Sequence, residues 1–298
     1  MQVTQQNLNI VFQGFQTAFQ NGLGQAESQW NIVATRVPST TGEEKYGWLG
    51  KMPGVRKWLG DRHVHQLEAH DYAIKNEDWE QTIGVSRNDI EDDKFGLYAP
   101  LFTEMGRAAA AFPDELVYGL LAAAFDTPCY DGQYFCDSDH PVLDSMGEET
   151  SVANTDGGSG KPWFLIDDSR ALKPLLYQVR KDFDFTRKDK PDDDNVFDKN
   201  EFRYGSHGRS NAGFGFWQFA WGSKQPLDKA HYATARESLM GMKGDYGRPL
   251  GLMPRRLVVP PSLEGQALEI LNAERDAAGA TNVYRGTAQL SVVPWLET

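Results

Sequence analysis

The chain has 298 residues, with 30 Lys and Arg against 42 Asp and Glu, a net charge of −12 at pH 7. At 40% hydrophobic and 12% aromatic residues it can build a packed core in one or two domains, which excludes a disordered chain. The acidic balance disfavours a protein that grips nucleic acid, because that binding needs clustered Lys and Arg to release counterions from phosphate.

The longest apolar run, Leu116–Phe125, is far short of the about 20 residues that cross a bilayer. No Lys or Arg precedes Arg36, and the second residue is Gln2 rather than Gly. Neither a secretory or transit leader nor a myristoyl anchor is therefore expected. The two cysteines, Cys129 and Cys136, cannot make a four-ligand zinc site. Two reduced thiols are expected, although a bridge between them is sterically allowed.

In chain order, Leu8, Phe12, Phe15 and Phe19 recur at helical spacing among Gln and Asn, and Gly22 and Gly24 end that helix. A polar helix with one apolar stripe must dock, either on its own domain or on a neighbouring subunit. After a loop over Val37–Thr41 come Tyr46, Trp48, Leu49, Met52, Val55, Trp58 and Leu59, interrupted by glycines and Pro53. This run is too broken for a helix. Each large apolar side chain left in water forgoes about 1.5–3 kcal/mol, so the run calls for a covering surface. Arg62–Lys75 and Trp79–Arg87 read as strands joined at Asn76-Glu77-Asp78, which predicts a hairpin, either compact or projecting.

Asn88–Asp93 reads as an acidic turn that opens a helix, with Asp92 and Asp93 at its positive end. The helix runs from about Leu97 to Phe125, with Leu101, Met105, Ala108, Ala109, Phe112, Leu116, Leu120 and Ala123 as its stripe. Pro113 is expected to kink it or to start a second segment at Pro113-Asp114-Glu115. Cys129–Asp144 is turn-rich, and Met146–Pro162 reads as a flexible loop. Trp163–Ile166 and Leu172–Arg180 read as strands, and Lys181–Glu201 as a charged excursion centred on Asp192-Asp193-Asp194. Arg203–Trp221 ends in GFGFWQFAW, a strand whose glycines let another layer approach. Asp228 caps a helix carrying Tyr232, Ala235 and Leu239. Leu257–Val259 is a short buried strand, Ser262 caps a helix with Leu263, Ala267, Ile270 and Leu271, Gly279 lies just beyond that helix, and Ala288–Val293 closes the unit. Helix, strand, helix, strand is a small α/β layer.

Catalytic patterns are weak. Asp137, Asp139 and His140 sit together, and His63 and His65 share a strand face, but a polar turn and a solvated face explain them. The run Gly208–Gly215 is not a phosphate loop, and Asp192–Asp194 lacks the Gly and Glu of an EF-hand. There is no G-x-S-x-G or H-E-x-x-H. No catalytic residue, cofactor or metal ligand is assigned, and no enzyme is expected. An arm, an aromatic hairpin, a long helix and an α/β unit without an active site point to contact with copies of the same chain.

These residues resemble a family. YGWLG (Tyr46–Gly50), RKWLGDR (Arg56–Arg62), RNDIEDDKFGLYAP from Arg87 and YDGQYFCDSDHP from Tyr130 are similar to the Mu-like, gpT-type major head subunits of tailed phages. So are WFLIDDSRALKPLLYQVRK from Trp163, YGSHGRSNAGFGFWQFAWGS from Tyr204 and GDYGRPLGLMPRRLVVPPSLEGQALEIL from Gly244 to Leu271. The likeness covers nearly the whole chain in family order, and Cys136 stands where an aromatic is expected.

The resemblance implies an α+β, HK97-like capsid fold. Residues 1–45 would be the N-arm, 46–87 the extended E-loop, and 88–135 the spine helix and turn of the P-domain. A loop over 136–162, P-domain strands over 163–222 and an A-domain over 223–298 would follow. The implied function is a major capsid protein of an icosahedral phage head enclosing double-stranded DNA, with an encapsulin-like compartment shell as the alternative. Implied partners are copies of itself in hexamers and pentamers, scaffold and portal proteins, and DNA held by non-specific enclosure, with no membrane. The place would be the virion capsid, assembled in the bacterial cytoplasm. Expected intersubunit contacts are Phe12, Phe15, Phe19, Tyr46, Trp48, Leu49, Trp58 and Leu59. Lys51 and Lys57 lie in the loop that carries a cross-link donor in some relatives of the fold, but no partner motif accompanies them, and two solvated lysines are expected.

Overall fold

The computed structural model of the chain describes residues 2–50, 72–275 and 279–297. The N-terminal half contains α1 (Gln5–Leu23), α2 (Trp30–Val33), β1 (Ala34–Pro38), β2 (Glu43–Lys45), β3 (Ala73–Lys75), β4 (Glu77–Ser86), α3 (Arg87–Glu91) and α4 (Ala99–Ala122). Then come β5 (His140–Leu143), β6 (Glu149–Val152), β7 (Thr155–Gly158), β8 (Trp163–Ile166), β9 (Leu175–Lys188), α5 (Asp194–Lys199), β10 (Glu201–Phe214) and β11 (Ala220–Lys224). The last block holds α6 (Lys229–Met240), β12 (Lys243–Gly244), β13 (Arg248–Pro249), β14 (Arg256–Val259), α7 (Glu264–Asn272) and β15 (Gln289–Val292).

Two sheets organise the molecule. The first has the order β1-β9-β10-β4, with β1 parallel to β9 and the other pairs antiparallel. Its centre is the β9–β10 hairpin, two 14-residue strands closed by α5. Residues 181–201 are therefore strand and helix rather than a charged excursion. Alternation lets the exposed charges face water while Phe185, Phe202 and Tyr204 turn inward. The second sheet has the order β15-β14-β8-β11-β7, and α7 links the parallel neighbours β14 and β15 as a crossover. All four residues of β8 are fully buried, as a central strand covered on both faces requires. The segment 163–222 divides between the sheets: β8 and β11 join the second, β9 and β10 the first.

The long helix α4 buries Met105 and Ala109 of the expected stripe but not the rest of it. Leu101 is exposed, and Phe102 is fully buried with Met105, Gly106 and Ala109. The stripe is rotated because α1 occupies that face. Gly22 and Gly106 permit the crossing: a Cβ on Gly22 would meet the carbonyl oxygen of Thr103, and one on Gly106 that of Phe19. The helix also runs through Pro113 without restarting. Asp114, expected in a new helix N-terminus, instead accepts hydrogen bonds from Ser28 Oγ at 2.8 Å, Gln29 N at 2.9 Å and Trp30 N at 2.6 Å. It thereby anchors the entry to α2. Asp92 and Asp93 do not open α4: Asp92 ends α3 and pairs with Lys94, and Asp93 has a φ of 59°.

Three smaller expectations also change. Residues 146–162 carry β6 and β7, with β6 paired to β5 and β7 at the edge of the second sheet. Buried Asn154 holds this segment in place through bonds from its Nδ2 to Phe135 O and from Asp137 N to its Oδ1. Ser262 does not cap α7; its N–H binds Glu297 Oε2 at 3.0 Å. GFGFWQFAW is not one strand, since β10 ends at Phe214 and a 3₁₀ turn over Trp217–Phe219 carries the chain to β11 in the other sheet.

Candidate assembly site

The N-terminal helix docks on its own chain. Thr4 caps α1 by accepting from Asn7 N at 3.3 Å. Leu8, Val11, Phe15 and Phe19 are buried, and Phe15 stacks on Phe102 with centroids 4.1 Å apart. The surface of Phe15 and Phe19, expected to meet a neighbour, is thus spent on α4 and the inner face of β9 and β10. Phe12 is half-buried; Arg187 lies 4.5 Å above its ring and donates to Asn9 at 2.7 Å.

The hairpin is built differently from the sequence expectation. β3 does not pair with β4 across Asn76. β4 runs antiparallel to β10 from Glu77 to Ser86, and β3 pairs with β2. The hairpin is therefore rooted at residues 43–45 and 73–75, one residue short of where β4 enters the first sheet. Its root is fixed by buried amides. Tyr46 OH donates to Gln178 Oε1 at 2.7 Å, and Gln178 Nε2 donates to Asn76 Oδ1 at 2.8 Å. Asn76 Nδ2 then donates to Ser39 Oγ at 2.7 Å. Glu44 closes the preceding turn by accepting from Thr40 N and Thr41 N, which hold its carboxyl down to about 2. Asn76 was read only as a turn residue and Gln178 was assigned no role from the sequence; a lone polar residue inside an apolar strand such as LLYQV is the signal that could have found Gln178.

Tyr46 and Leu49 are buried in the chain's own core, with relative exposures of 9% and 0%, so they too are covered without a neighbour. Burial is local because Tyr46 reaches β9 and Leu49 sits in a turn closed by its N–H to Tyr46 O at 3.0 Å. Trp48 is half-buried, 5.8 Å from the Phe216 ring. Trp58, Leu59, His63, His65, Lys51 and Lys57 lie outside the described residues.

A buried polar cluster lies on the turn before β5. Asp131 bridges two donors: His140 Nδ1 stands 2.8 Å from its Oδ2, and Cys129 Sγ 3.0 Å from its Oδ1. Burial alone would raise the Asp131 carboxyl, but these bonds hold it below its ordinary value. Burial pushes the Cys129 thiol well up, so it remains protonated. Trp217 stacks on His140 at 3.8 Å and closes the other side of the ring. This is the one group of three possible metal donors among the described residues. Its separations are those of hydrogen bonds, and its chemistry is to lock the turn to the core. Asp137 and Asp139, grouped with His140 in the sequence, bond elsewhere: Asp137 accepts from Tyr134 N and Ser138 N, and Asp139 from Ser151. Cys129 and Cys136 are free and buried.

No described helix is long and apolar enough to cross a membrane. The described chain is an α+β frame of two sheets, braced by an N-terminal helix and carrying the long β9–β10 hairpin. Residues 8–296 match the family model of the Mu-like prophage major head subunit gpT. The chain is 43% identical to the major capsid protein of Escherichia phage Mu, over 99% of this chain and 100% of that one. It is 42% identical to the Mu-like prophage FluMu major head subunit of Haemophilus influenzae, over 95% of each. Among solved structures, the procapsid of bacteriophage JBD30 matches with a TM-score of 0.88 and 43% identity, covering 98% of this chain and 100% of that one. The JBD30 capsid matches at 0.78 with 33% identity over 94% of each. The chain belongs to the Mu-like gpT major head subunit family. It is a major capsid protein with an α+β, HK97-like fold.

Proposed function

We propose that this subunit closes an icosahedral head of hexamers and pentamers around double-stranded DNA, with no catalytic step of its own. The observation that carries the reading is the agreement in fold with a procapsid subunit across nearly the full length of both chains. Scaffold and portal proteins act with it during assembly, in the bacterial cytoplasm. The acidic balance of the chain supports confinement of DNA without adhesion, because like charge repels a polyanion at long range.

The contacts between subunits fall on the aromatic segment beyond the hairpin root. Tyr46, Leu49, Phe15 and Phe19 have partners within the chain; of the expected contact residues, Trp58 and Leu59, with the half-buried Trp48 and Phe12, carry the reading. Trp48→Ala combined with Trp58→Ala tests this. The double variant is expected to keep a folded, soluble subunit by circular dichroism and to lose particles in electron microscopy. Particles at the normal yield, or an unfolded aggregate, would contradict it.

A further inference from the structure

The chain between α4 and β5 brings three different metal-ligating groups together. Cys129 Sγ, an Asp131 carboxylate oxygen and a His140 ring nitrogen all lie within 4.8 Å of one another. Cys129 and Asp131 belong to a turn closed by Cys129 N donating to Gln133 O at 2.7 Å, and His140 opens β5. Cys129 and His140 are buried, while Asp131 forms the outer edge beside exposed Gly132. The bond to Asp131 occupies only one nitrogen of His140. Nε2 is buried and has no hydrogen-bond partner among the described residues. Trp217 fixes the ring by stacking at 3.8 Å without supplying one. An imidazole held by nothing at Nε2 can move its proton there without breaking a bond, and Nδ1 then becomes a ligand.

The spacing suits a small cation. A tetrahedral zinc ion, about 2.3 Å from sulfur and about 2.0–2.2 Å from nitrogen and oxygen, sets its ligands about 3.4–3.6 Å apart. Asp131 stands 2.8 Å from His140 Nδ1 and 3.0 Å from Cys129 Sγ. Opening each separation by about 0.6 Å admits the ion. Gln133 N donates to Asp131 Oδ1 at 3.1 Å and keeps the carboxylate turned inward. The donor set selects the metal, since one thiolate, one imidazole and one carboxylate suit Zn²⁺, whereas Mg²⁺ and Ca²⁺ take oxygen. The two anions cancel the charge of the ion, so the filled site leaves no uncompensated charge in the interior.

We propose that Cys129, Asp131 and His140 form a structural zinc site that staples the 129–134 turn to β5. The hydrogen-bonded trio is the metal-free form of the same site. Binding releases the Cys129 thiol proton to solvent and shifts the imidazole proton from Nδ1 to Nε2, with Asp131 ionised throughout. Three protein ligands leave the fourth tetrahedral position to solvent. Zinc that binds only the folded chain stabilises it by mass action. The inference concerns the single folded subunit and stands apart from the shell-building reading.

The test uses the full chain, stripped of metal with a chelator and titrated with CoCl₂ or ZnCl₂. One Co²⁺ per chain is expected, with a thiolate-to-cobalt charge-transfer band in the near ultraviolet. Zn²⁺ is expected to displace it and to raise the melting temperature. Cys129→Ala should abolish the band, His140→Gln should weaken Zn²⁺ binding by more than about tenfold, and Cys136→Ala should change neither. Metal held at His63 and His65 instead would give no thiolate band. Absence of the band from the wild-type chain, or its survival in Cys129→Ala, overturns the proposal. Should Cys129→Ala not fold, zinc-edge X-ray absorption of the wild-type chain decides. One sulfur among the ligands is expected, and a shell of nitrogen and oxygen alone overturns the site.

Discussion

At the scale of single residues, the fold is held by a few buried polar groups placed where the chain changes direction. Gln178, Asn76 and Tyr46 tie the hairpin root to β9, and Asp114 ties α2 to α4. Asp131 ties the 129–140 turn to the core through His140 and Cys129. Each such group lowers the free energy only while its partners remain, since a buried donor left alone loses about 1–3 kcal/mol. Asp131→Ala strands the His140 and Cys129 donors, and a stability loss of roughly that size is expected in denaturant melts of the unassembled subunit. The pH dependence has a definite sign. The Asp131 carboxyl is lowered below its ordinary 3.8, and Glu44 is lowered to about 2, so the folded state favours their ionised forms. Their stabilisation is present above the ordinary carboxylate range and is lost as pH falls below it toward the folded values. Wild-type stability is expected to drop on acidification below about pH 4. Asp131→Ala should drop less steeply, and parallel curves for the two proteins would contradict the assignment.

At the scale of elements, α1 on α4 is the decisive packing. The two helices approach until backbone touches backbone at Gly22 and Gly106. Exchanging a helical glycine for alanine elsewhere gains about 1 kcal/mol of propensity. At Gly106 the new methyl meets a backbone carbonyl that cannot turn aside, and overpacking of that kind loses roughly 1–3 kcal/mol. The overpacking term wins, so Gly106→Ala is expected to lower the melting temperature and to loosen α1, measured by hydrogen exchange of residues 5–23. A raised melting temperature would refute the close crossing. This element also shows what the sequence could and could not reveal. The helical spacing of Leu8, Phe15 and Phe19 announced α1, and Asp228 announced α6, because period and cap are local signals. The partner of α1 was illegible, since a stripe of phenylalanines fits its own domain or a neighbour equally well. The pairing of β3 with β2 was likewise hidden: Asn76-Glu77-Asp78 has turn chemistry, but Asn76 spends its side chain on Ser39 and Gln178 and passes the chain straight into another sheet. Pro113 misled for a related reason. α4 carries it without interruption, and Asp114 works across the helix rather than at a new start.

At the scale of the whole molecule, two sheets, a bracing helix and the long β9–β10 hairpin surround a core that is well buried among the described residues. Leu49, Phe15 and Phe19 are buried before any neighbour arrives. Assembly therefore joins folded subunits through surfaces outside that core, and contacts that are individually modest allow misplaced subunits to leave, each 1.4 kcal/mol being tenfold in affinity. The family was legible from motifs spread over the chain, while the burial of Phe15, Phe19 and Tyr46 within their own chain emerged only from the structure. The most direct test is cryo-electron microscopy of particles formed by the purified chain expressed with its scaffold. The account predicts closed shells of hexamers and pentamers in which α1 stays on its own α4 while the Trp58 segment is covered by an adjacent subunit. Isolated monomers at high concentration, or shells in which that segment is buried wholly within its own subunit, would contradict it.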